Sequence, residues 1–291
     1  MEQEKGKLYI VATPIGNSRD MSPRGCDILR SVDIIAAEDT RRSMVLLNKL
    51  EIRNKLVSNH KYNEHAKARH FVNEILEGKS IAVITDAGTP CISDPGNELI
   101  RAAVEAGIEV VGIPGCCAAV TALSISGFDL SSFLFCGFFP REAAERKKTL
   151  DRLRQGSVRT CVFYESPLRI MNMMEFLVEI DAGMNLCVCN DMTKLHEACF
   201  RGRPAEIIVQ LKDKGSFDKG EYVVVIELDE SYLFQKVEHT VSAEAMLADV
   251  MVSKGLSGRD AVSAVLGDEN NSYSKNELKS ALLNLKKLVG S

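Results

Sequence analysis

The first 115 residues alternate short, continuously apolar runs with segments of helical pattern, and that alternation leaves few folds open. The runs are 8-LYIVA, 33-DIIAA, 81-IAVIT and 108-IEVVGI. Each is rich in Ile and Val, as expected of strands covered on both faces of a parallel sheet. The segments between them carry helix-boundary signals. Ser22-Pro23 reads as an N-cap followed by Pro at the first helical position, for a helix through Arg30. Residues 64–77 read as a helix closed by Gly78. Asp94-Pro95 repeats the cap-then-proline signature ahead of 98-ELIRAAVEAG, which stops at Gly107. Strands alternating with helices predict crossover connections and an α/β domain with a parallel sheet over 1–115.

A second segment, 116–230, begins with the helical 116-CCAAVTALSISG and carries strand-like runs at 133-FLFCGFF, 160-TCVFYE, 185-NLCVCN and 221-EYVVVIEL. Helical patterns fall at 142–154, 167–180 and 204–211, which predicts a second α/β domain with a mixed sheet. Residues 231–291 show helical patterning alone, at 243-AEAMLADVMVSKG, 257-SGRDAVSAVLG and 274-SKNELKSALLNLKKL, with Ser257 and Ser274 as N-caps. Such a tail is either a helix-turn-helix-like unit or a helical appendage packed on the body. A length of 291 residues with 45% apolar composition suits two compact domains better than one.

No apolar run approaches the ~18 residues of a membrane span. Met1 to Lys7 is charged and runs straight into the first strand without the apolar stretch of a secretory signal. The expectation is a cytoplasmic protein with no membrane partner. The nine cysteines contain no CxxC pair, so no metal site is expected. They read as small buried hydrophobes in a reducing compartment.

Ligands of open α/β sheets bind beyond the carboxyl ends of the strands, and four loops leave such ends. In 13-TPIGN, Pro14 and Gly16 make a tight turn that a ligand could approach. In 38-EDTRR, charge crowds where a strand stops, either for chemistry or because Asp39 or Thr40 caps a helix. The loop 85-TDAGTPCISDPG holds two Gly, two Pro and two Asp. It is long for a strand-to-helix connection, and such loops tend to be functional. In 113-IPGCCAA, small residues allow either a flat ligand or close helix-strand packing. No GxGxxG and no phosphate-loop signature is present. Two later loops, 164-YESPLR and 190-NDMTKLHE, are polar and also follow strands. The net charge of −4 does not advertise nucleic acid. Residues 141–159 nevertheless hold seven Lys and Arg, with 141, 145, 148 and 152 expected on one side of a helix. This is either a solvated face or a phosphate-binding one.

Together, 8-LYIVATPIGNSRDMS, 36-AAEDTR, 86-DAGTPCISDPG, 114-PGCCAAVTAL and 163-FYESPLR resemble the bacterial 16S ribosomal RNA cytidine 2′-O-methyltransferases, a branch of the tetrapyrrole methylase superfamily. The resemblance runs from Leu8 to Leu228, and the tail is similar to the family's helix-turn-helix extension. It implies a two-domain α/β fold with the cofactor cleft between the domains, plus a small C-terminal helical extension. It implies S-adenosylmethionine as cofactor, held by Pro14, Gly16, Asp86, Ala87, Gly88, Thr89, Pro90, Pro114, Gly115, Ala118 and Tyr164. It further implies a homodimer acting on a cytidine 2′-hydroxyl in the decoding centre of 16S rRNA in the 30S subunit. The chain departs from the family where Arg-Glu-Leu-Thr-Lys is usual, reading 190-NDMTK, and where Pro-Ser or Pro-Cys is common, reading Cys116-Cys117.

Methylating a ribose hydroxyl requires alignment and a proton acceptor. The candidates are Glu38, Asp39, Asp86 and Lys194, the last if burial lowers its pKa. Arg41, Arg42, Arg146, Lys147 and Lys148 are the candidates for RNA phosphates. Two rival readings stay open: a small-molecule methyltransferase of the tetrapyrrole branch, and a non-catalytic RNA-binding assembly protein.

Overall fold

The computed structural model describes residues 5–59, 64–154, 156–228, 242–268 and 273–289. Its first sheet is wholly parallel, in the order β3-β2-β4-β1-β5. The strands are β1 (Leu8–Val11), β2 (Ile34–Ala37), β3 (Leu56–Ser58), β4 (Ile81–Ile84) and β5 (Val110–Ile113). Every residue of β2 and β4 is buried, which is why those runs carry no polar alternation. β3 escapes sequence reading because it is only three residues long and none of them is fully buried.

The helices of this half are α1 (Pro23–Ser31), α2 (Thr40–Lys49), α3 (Glu64–Leu76) and α4 (Asn97–Glu105). Ser22 caps α1, its hydroxyl accepting from the Gly25 amide. One face of the sheet packs Leu8, Ile34 and Ile81 against Phe71, Ile75 and Leu99. The other packs Val11, Ile35 and Ile84 against Leu29 and Leu47. One boundary differs from expectation: the cap of α4 is Gly96, not Asp94. Gly96 sits at φ +131°, and a β-carbon there would lie 2.7 Å from Cys91 Sγ. The chain therefore turns at Gly96, and Asp94 points elsewhere.

The second sheet is mixed, in the order β6-β7-β10-β8-β9, with only β6 and β7 parallel. Helix α5 (Ala118–Ser126) leads in and stops at Gly127, which is left-handed at φ +82°. Then come β6 (Phe133–Phe138), α6 (Ala143–Arg154), β7 (Thr160–Glu165), α7 (Ile170–Ile180), β8 (Asn185–Asn190), β9 (Ala198–Gly202), α8 (Pro204–Lys214) and β10 (Tyr222–Glu227). β9, with the sequence ACFRG, has too little apolar pattern to be read as a strand. One face of the sheet buries Phe139, Phe163, Met174, Leu177 and Tyr222. The opposite face packs Val162, Cys187 and Val225 beneath Ala119, Ala122 and Leu123 of α5.

Both sheets lie in one compact unit, Met1–Leu233; a second unit spans Phe234–Ser291. The second contains α9 (Ala243–Lys254), α10 (Gly258–Leu266) and α11 (Lys275–Val289), with a core of Leu247, Val262, Val265 and Leu278. Ser242 and Ser257 cap the first two of these helices. The compositional boundary near residue 230 lies outside the described residues. Among the described residues, no helix is long and apolar enough to cross a membrane.

Within the first unit, the loop after β1 abuts the loop after β8. The Asn17 amide donates to Thr193 Oγ1 at 3.1 Å. A β-carbon on Gly16 would lie 2.6 Å from Lys194 Cγ and 2.8 Å from Thr193 Oγ1. Gly16→Ala should therefore destabilise the protein by about 1–3 kcal/mol through overpacking, read as a lower urea midpoint at unchanged slope. A neutral substitution would contradict this close approach.

Candidate active site

The loop between β4 and α4 is held from two sides. Thr13, just beyond β1, donates its amide to the Gly88 carbonyl at 2.8 Å and accepts the Gly88 amide at 3.0 Å. The fully buried Thr13 hydroxyl donates to the Thr85 carbonyl at 3.1 Å. Farther along, Thr89 Oγ1 donates to the Cys116 carbonyl at 2.9 Å, tying this loop to the one after β5. The backbone turns through positive φ at Gly88 (+84°), Cys91 (+71°), Ser93 (+69°) and Gly96 (+131°). At Cys91 and Ser93, which carry side chains, such backbone is strained and persists only where the surroundings over-determine it.

The loop lines a cavity of about 420 Å³, within the roughly 300–1,000 Å³ usual for small-ligand sites. Its near wall is Ile15, Glu38, Arg42, Asp86, Ala87, Gly88, Thr89, Ile92, Ser93 and Asp94. Its far wall comes from α5 and the second sheet: Cys117, Ala118, Phe138, Tyr164, Glu165, Ser166, Pro167, Glu221, Tyr222 and Val223. The cavity therefore lies between the two sheets, at the carboxyl ends of β2 and β4, where open α/β sheets place ligands.

Three carboxylates share its floor. Glu38 Oε2 accepts from the Thr85 hydroxyl at 2.6 Å. Asp86 accepts from the Asp39 amide at 3.2 Å and from Arg42 Nη1 at 2.9 Å. Burial, followed by the charge of Glu38, nevertheless raises the Asp86 pKa. Asp94 is shifted further. Burial first, then the negative charge of Glu38 and, to a smaller extent, Asp86, push it up to about 6, against a hydrogen bond from Thr85 that pulls it down. Asp94 does not cap α4 and instead lines the cavity, a placement that the Asp-Pro signature did not announce.

The other candidate bases separate clearly. Asp39 caps α2, accepting from the Arg41 amide at 2.8 Å. Side-chain and backbone hydrogen bonds from Arg41 hold its carboxyl at about 2, which makes it a weak proton acceptor. Lys194 lacks the lowered pKa expected of it. Burial does pull it down, but hydrogen bonds to Asp191 Oδ1 and Glu221 Oε2, both 2.8 Å, outweigh burial and raise it. Lys194 is thus an ammonium that pins the 191–197 loop to the start of β10, outside the cavity lining.

Of the expected cofactor residues, Asp86, Ala87, Gly88, Thr89, Ala118 and Tyr164 line the cavity, whereas Pro14, Gly16, Pro90, Pro114 and Gly115 do not. Gly16 makes room for the 192–194 loop, and Gly115 makes room for Ala12, whose Cβ would be 2.9 Å from an added β-carbon. Tyr164 rests edge-on against Phe135 and Phe138, and burial pushes its phenol up to about 12. Glu165, almost fully buried, pairs with Arg169.

The basic candidates also divide. The Arg41 side chain is 91% exposed beside its ion pair with Asp39, and Arg42 borders the cavity. Lys147 and Lys148 are exposed on α6. Arg146 is not free: it donates to the Pro140 carbonyl and to Asn172 Oδ1 and lies over the rings of Phe139 and Phe176. The shared side expected for 141, 145, 148 and 152 is also incomplete, because α6 starts at Ala143 and Arg141 precedes it. At the family departure, Asn190 is fully buried, donates to the carbonyls of Lys219 and Glu221, and accepts from Lys214 Nζ. A positive charge thus reaches this position from α8.

The profile of the family described as Tetrapyrrole (Corrin/Porphyrin) Methylases matches residues 7–208. A protein named Ribosomal RNA small subunit methyltransferase I from Halalkalibacterium halodurans is 40% identical over 224 residues, covering 77% of this chain and 76% of the relative. Its namesake from Pasteurella multocida is 38% identical over 279 residues, covering 96% of this chain and 97% of the relative. Among solved structures, uroporphyrin-III-C-methyltransferase from Thermus thermophilus shares the fold at TM-score 0.54 and 20% identity, over 77% of this chain and 94% of that one. The two-sheet unit and the full-length likeness agree: the chain belongs to the tetrapyrrole methylase family, among the methyltransferases that carry the name ribosomal RNA small subunit methyltransferase I.

Proposed function

We propose that the protein transfers a methyl group from S-adenosylmethionine to the 2′-hydroxyl of a cytidine in the decoding centre of 16S rRNA, acting in the cytoplasm as a homodimer on the 30S subunit. The observation that carries this reading is a cavity flanked by carboxylates and bordered by arginine, in a chain whose relatives bear a ribosomal RNA methyltransferase name over most of its length. The cavity residues suit the cofactor. Ile15, Ala87, Ala118 and Val223 give apolar walls, and Glu38, Asp86 and Asp94 give acceptors for a cationic ligand. Gly88, Thr89, Ala118 and Tyr164 are the residues that would hold it. When bound, S-adenosylmethionine supplies a methyl on a sulfonium for in-line displacement by an oxygen nucleophile, leaving a neutral thioether.

The chain's own residues supply position and proton acceptance. Asp94, half-buried in the cavity beside Glu38, is the acceptor for the ribose hydroxyl proton. A carboxyl near its ordinary pKa would be a weaker base, and one raised further would be protonated in the cell. Arg41 and Arg42, at the start of α2, and Lys147 and Lys148 on α6 would meet RNA phosphates, so RNA affinity should fall steeply with salt. A small tetrapyrrole acceptor would not require that salt dependence.

The homodimer reading rests on β6. This edge strand exposes Phe133, Leu134 and Phe135 in succession, so both of its faces are open, and Phe138 reaches the cavity wall. Long apolar edges are ordinarily covered, and a second copy of the chain covers this one.

Two tests follow. A raised carboxyl is protonated below its pKa and cannot accept a proton, so kcat/KM for methyl transfer should rise with pH through about 6 and level off above it. Asp94→Asn should lower kcat by about 10²- to 10⁴-fold and abolish that rise; an unchanged profile would remove Asp94 from the reaction. Sedimentation of the wild type should give a dimer and of Phe133→Glu a monomer. A monomeric wild type at micromolar concentration would sink the dimer.

A further inference from the structure

The cysteine pattern that looked inert in sequence takes on a different meaning once β9 is in place. Alternate residues of a strand share a face, and directly opposed residues of neighbouring strands share it too. Cys187 and Cys189 are alternate residues of β8; Cys199 lies opposite Cys189 and Arg201 opposite Cys187. Four positions of one tile on the sheet therefore carry three thiols and a guanidinium. Their Sγ atoms lie 4.0 Å (Cys187 to Cys189), 3.4 Å (Cys187 to Cys199) and 3.7 Å (Cys189 to Cys199) apart. Cys187 and Cys189 are buried, and Cys199 is half-buried.

These separations match a thiolate metal site. Thiolates about 2.3 Å from a tetrahedral zinc ion stand about 3.8 Å from one another. The three sulfurs already stand at the mutual spacing that one ion would require. The donor set is all sulfur, which favours thiophilic cations over calcium or magnesium. Each thiol would give up its proton on binding. Three thiolates and a divalent ion leave one net negative charge, and Arg201 on the same tile offers the opposite charge. Cys199 is the most accessible of the three, so a fourth, exchangeable ligand would sit on its side.

We propose that Cys187, Cys189 and Cys199 form a site for a divalent thiophilic cation of the zinc and cadmium class, outside the cavity between the sheets. The site is connected to that cavity by packing, because Cys187 and Cys189 share a buried cluster with Ile15, Cys117, Ala118, Tyr164 and Val223, all of which line it. The spacing in sequence concealed the site: a CxC pair on a strand and a third cysteine ten residues later carry no recognisable ligand signature.

The test titrates cadmium into the reduced, full-length chain and follows the ultraviolet sulfur-to-cadmium charge-transfer band. One equivalent per chain should saturate the band, zinc should compete it away, and cadmium should shield Cys199 from alkylation in the wild type. Cys199→Ser and Cys189→Ala, checked for folding by circular dichroism, should each weaken binding at least tenfold, while Cys26→Ser should not. The proposal is overturned if the wild type shows no such band, if uptake survives both substitutions, or if air oxidation forms a Cys189–Cys199 disulfide in a chain that takes up no metal when reduced.

Discussion

Thr13, the second residue beyond β1, and the loop that follows β4 are joined by a reciprocal pair of backbone hydrogen bonds, Thr13 to Gly88 and back, at 2.8 and 3.0 Å. The remaining site geometry depends on that junction. Buried backbone groups must find partners, and here they do so between two loops rather than along a strand. The Thr13 hydroxyl, with no access to solvent, adds a bond to the Thr85 carbonyl at the point where β4 ends. With Gly88 fixed, Thr89 reaches the Cys116 carbonyl, so three strand-end loops become one rigid rim. Asp86 and Asp94 flank the anchored stretch, and its tightness places both carboxylates in the same cavity.

That crowding sets the electrostatics. Asp39 and Asp94 are the same residue type, yet Arg41 holds one at about 2 while burial and Glu38 bring the other to about 6. Environments that push like groups apart assign them different work. Asp39 shapes the start of α2, whereas Asp94 can hold or release a proton near neutrality. Lys194 belongs with Asp39: its two carboxylate partners make it a positioning residue at the junction of the 191–197 loop with β10.

Much of this was legible in the sequence, for reasons visible at particular residues. Runs such as 81-IAVIT are uniformly apolar because both faces of β4 are buried, and Ser22-Pro23 announced α1 through a cap that the structure retains. The loop 85–96 stood out by composition, and most of its expected ligand residues line the cavity. What stayed hidden depends on tertiary contacts. β3 and β9 are strands by virtue of their neighbours rather than their pattern. Gly16 and Gly115 make close approaches to Lys194 and Ala12, contacts that the local sequence does not reveal. Asp94 read as a cap because local signals cannot reveal that Gly96, at φ +131°, begins the helix instead. The far wall was legible in part: 113-IPGCCAA and 164-YESPLR supply Cys117, Ala118, Tyr164, Glu165, Ser166 and Pro167, whereas Phe138, Glu221, Tyr222 and Val223 carry no local signature.

The most direct measurement of the central claim is transfer of a labelled methyl group from S-adenosylmethionine to 30S subunits that lack the modification, with the labelled nucleotide mapped in the RNA. The account predicts label on the 2′-oxygen of one decoding-centre cytidine, with none on a tetrapyrrole acceptor offered in parallel. Tight cofactor binding without transfer to 30S subunits, or transfer to a base carbon or nitrogen, would contradict it.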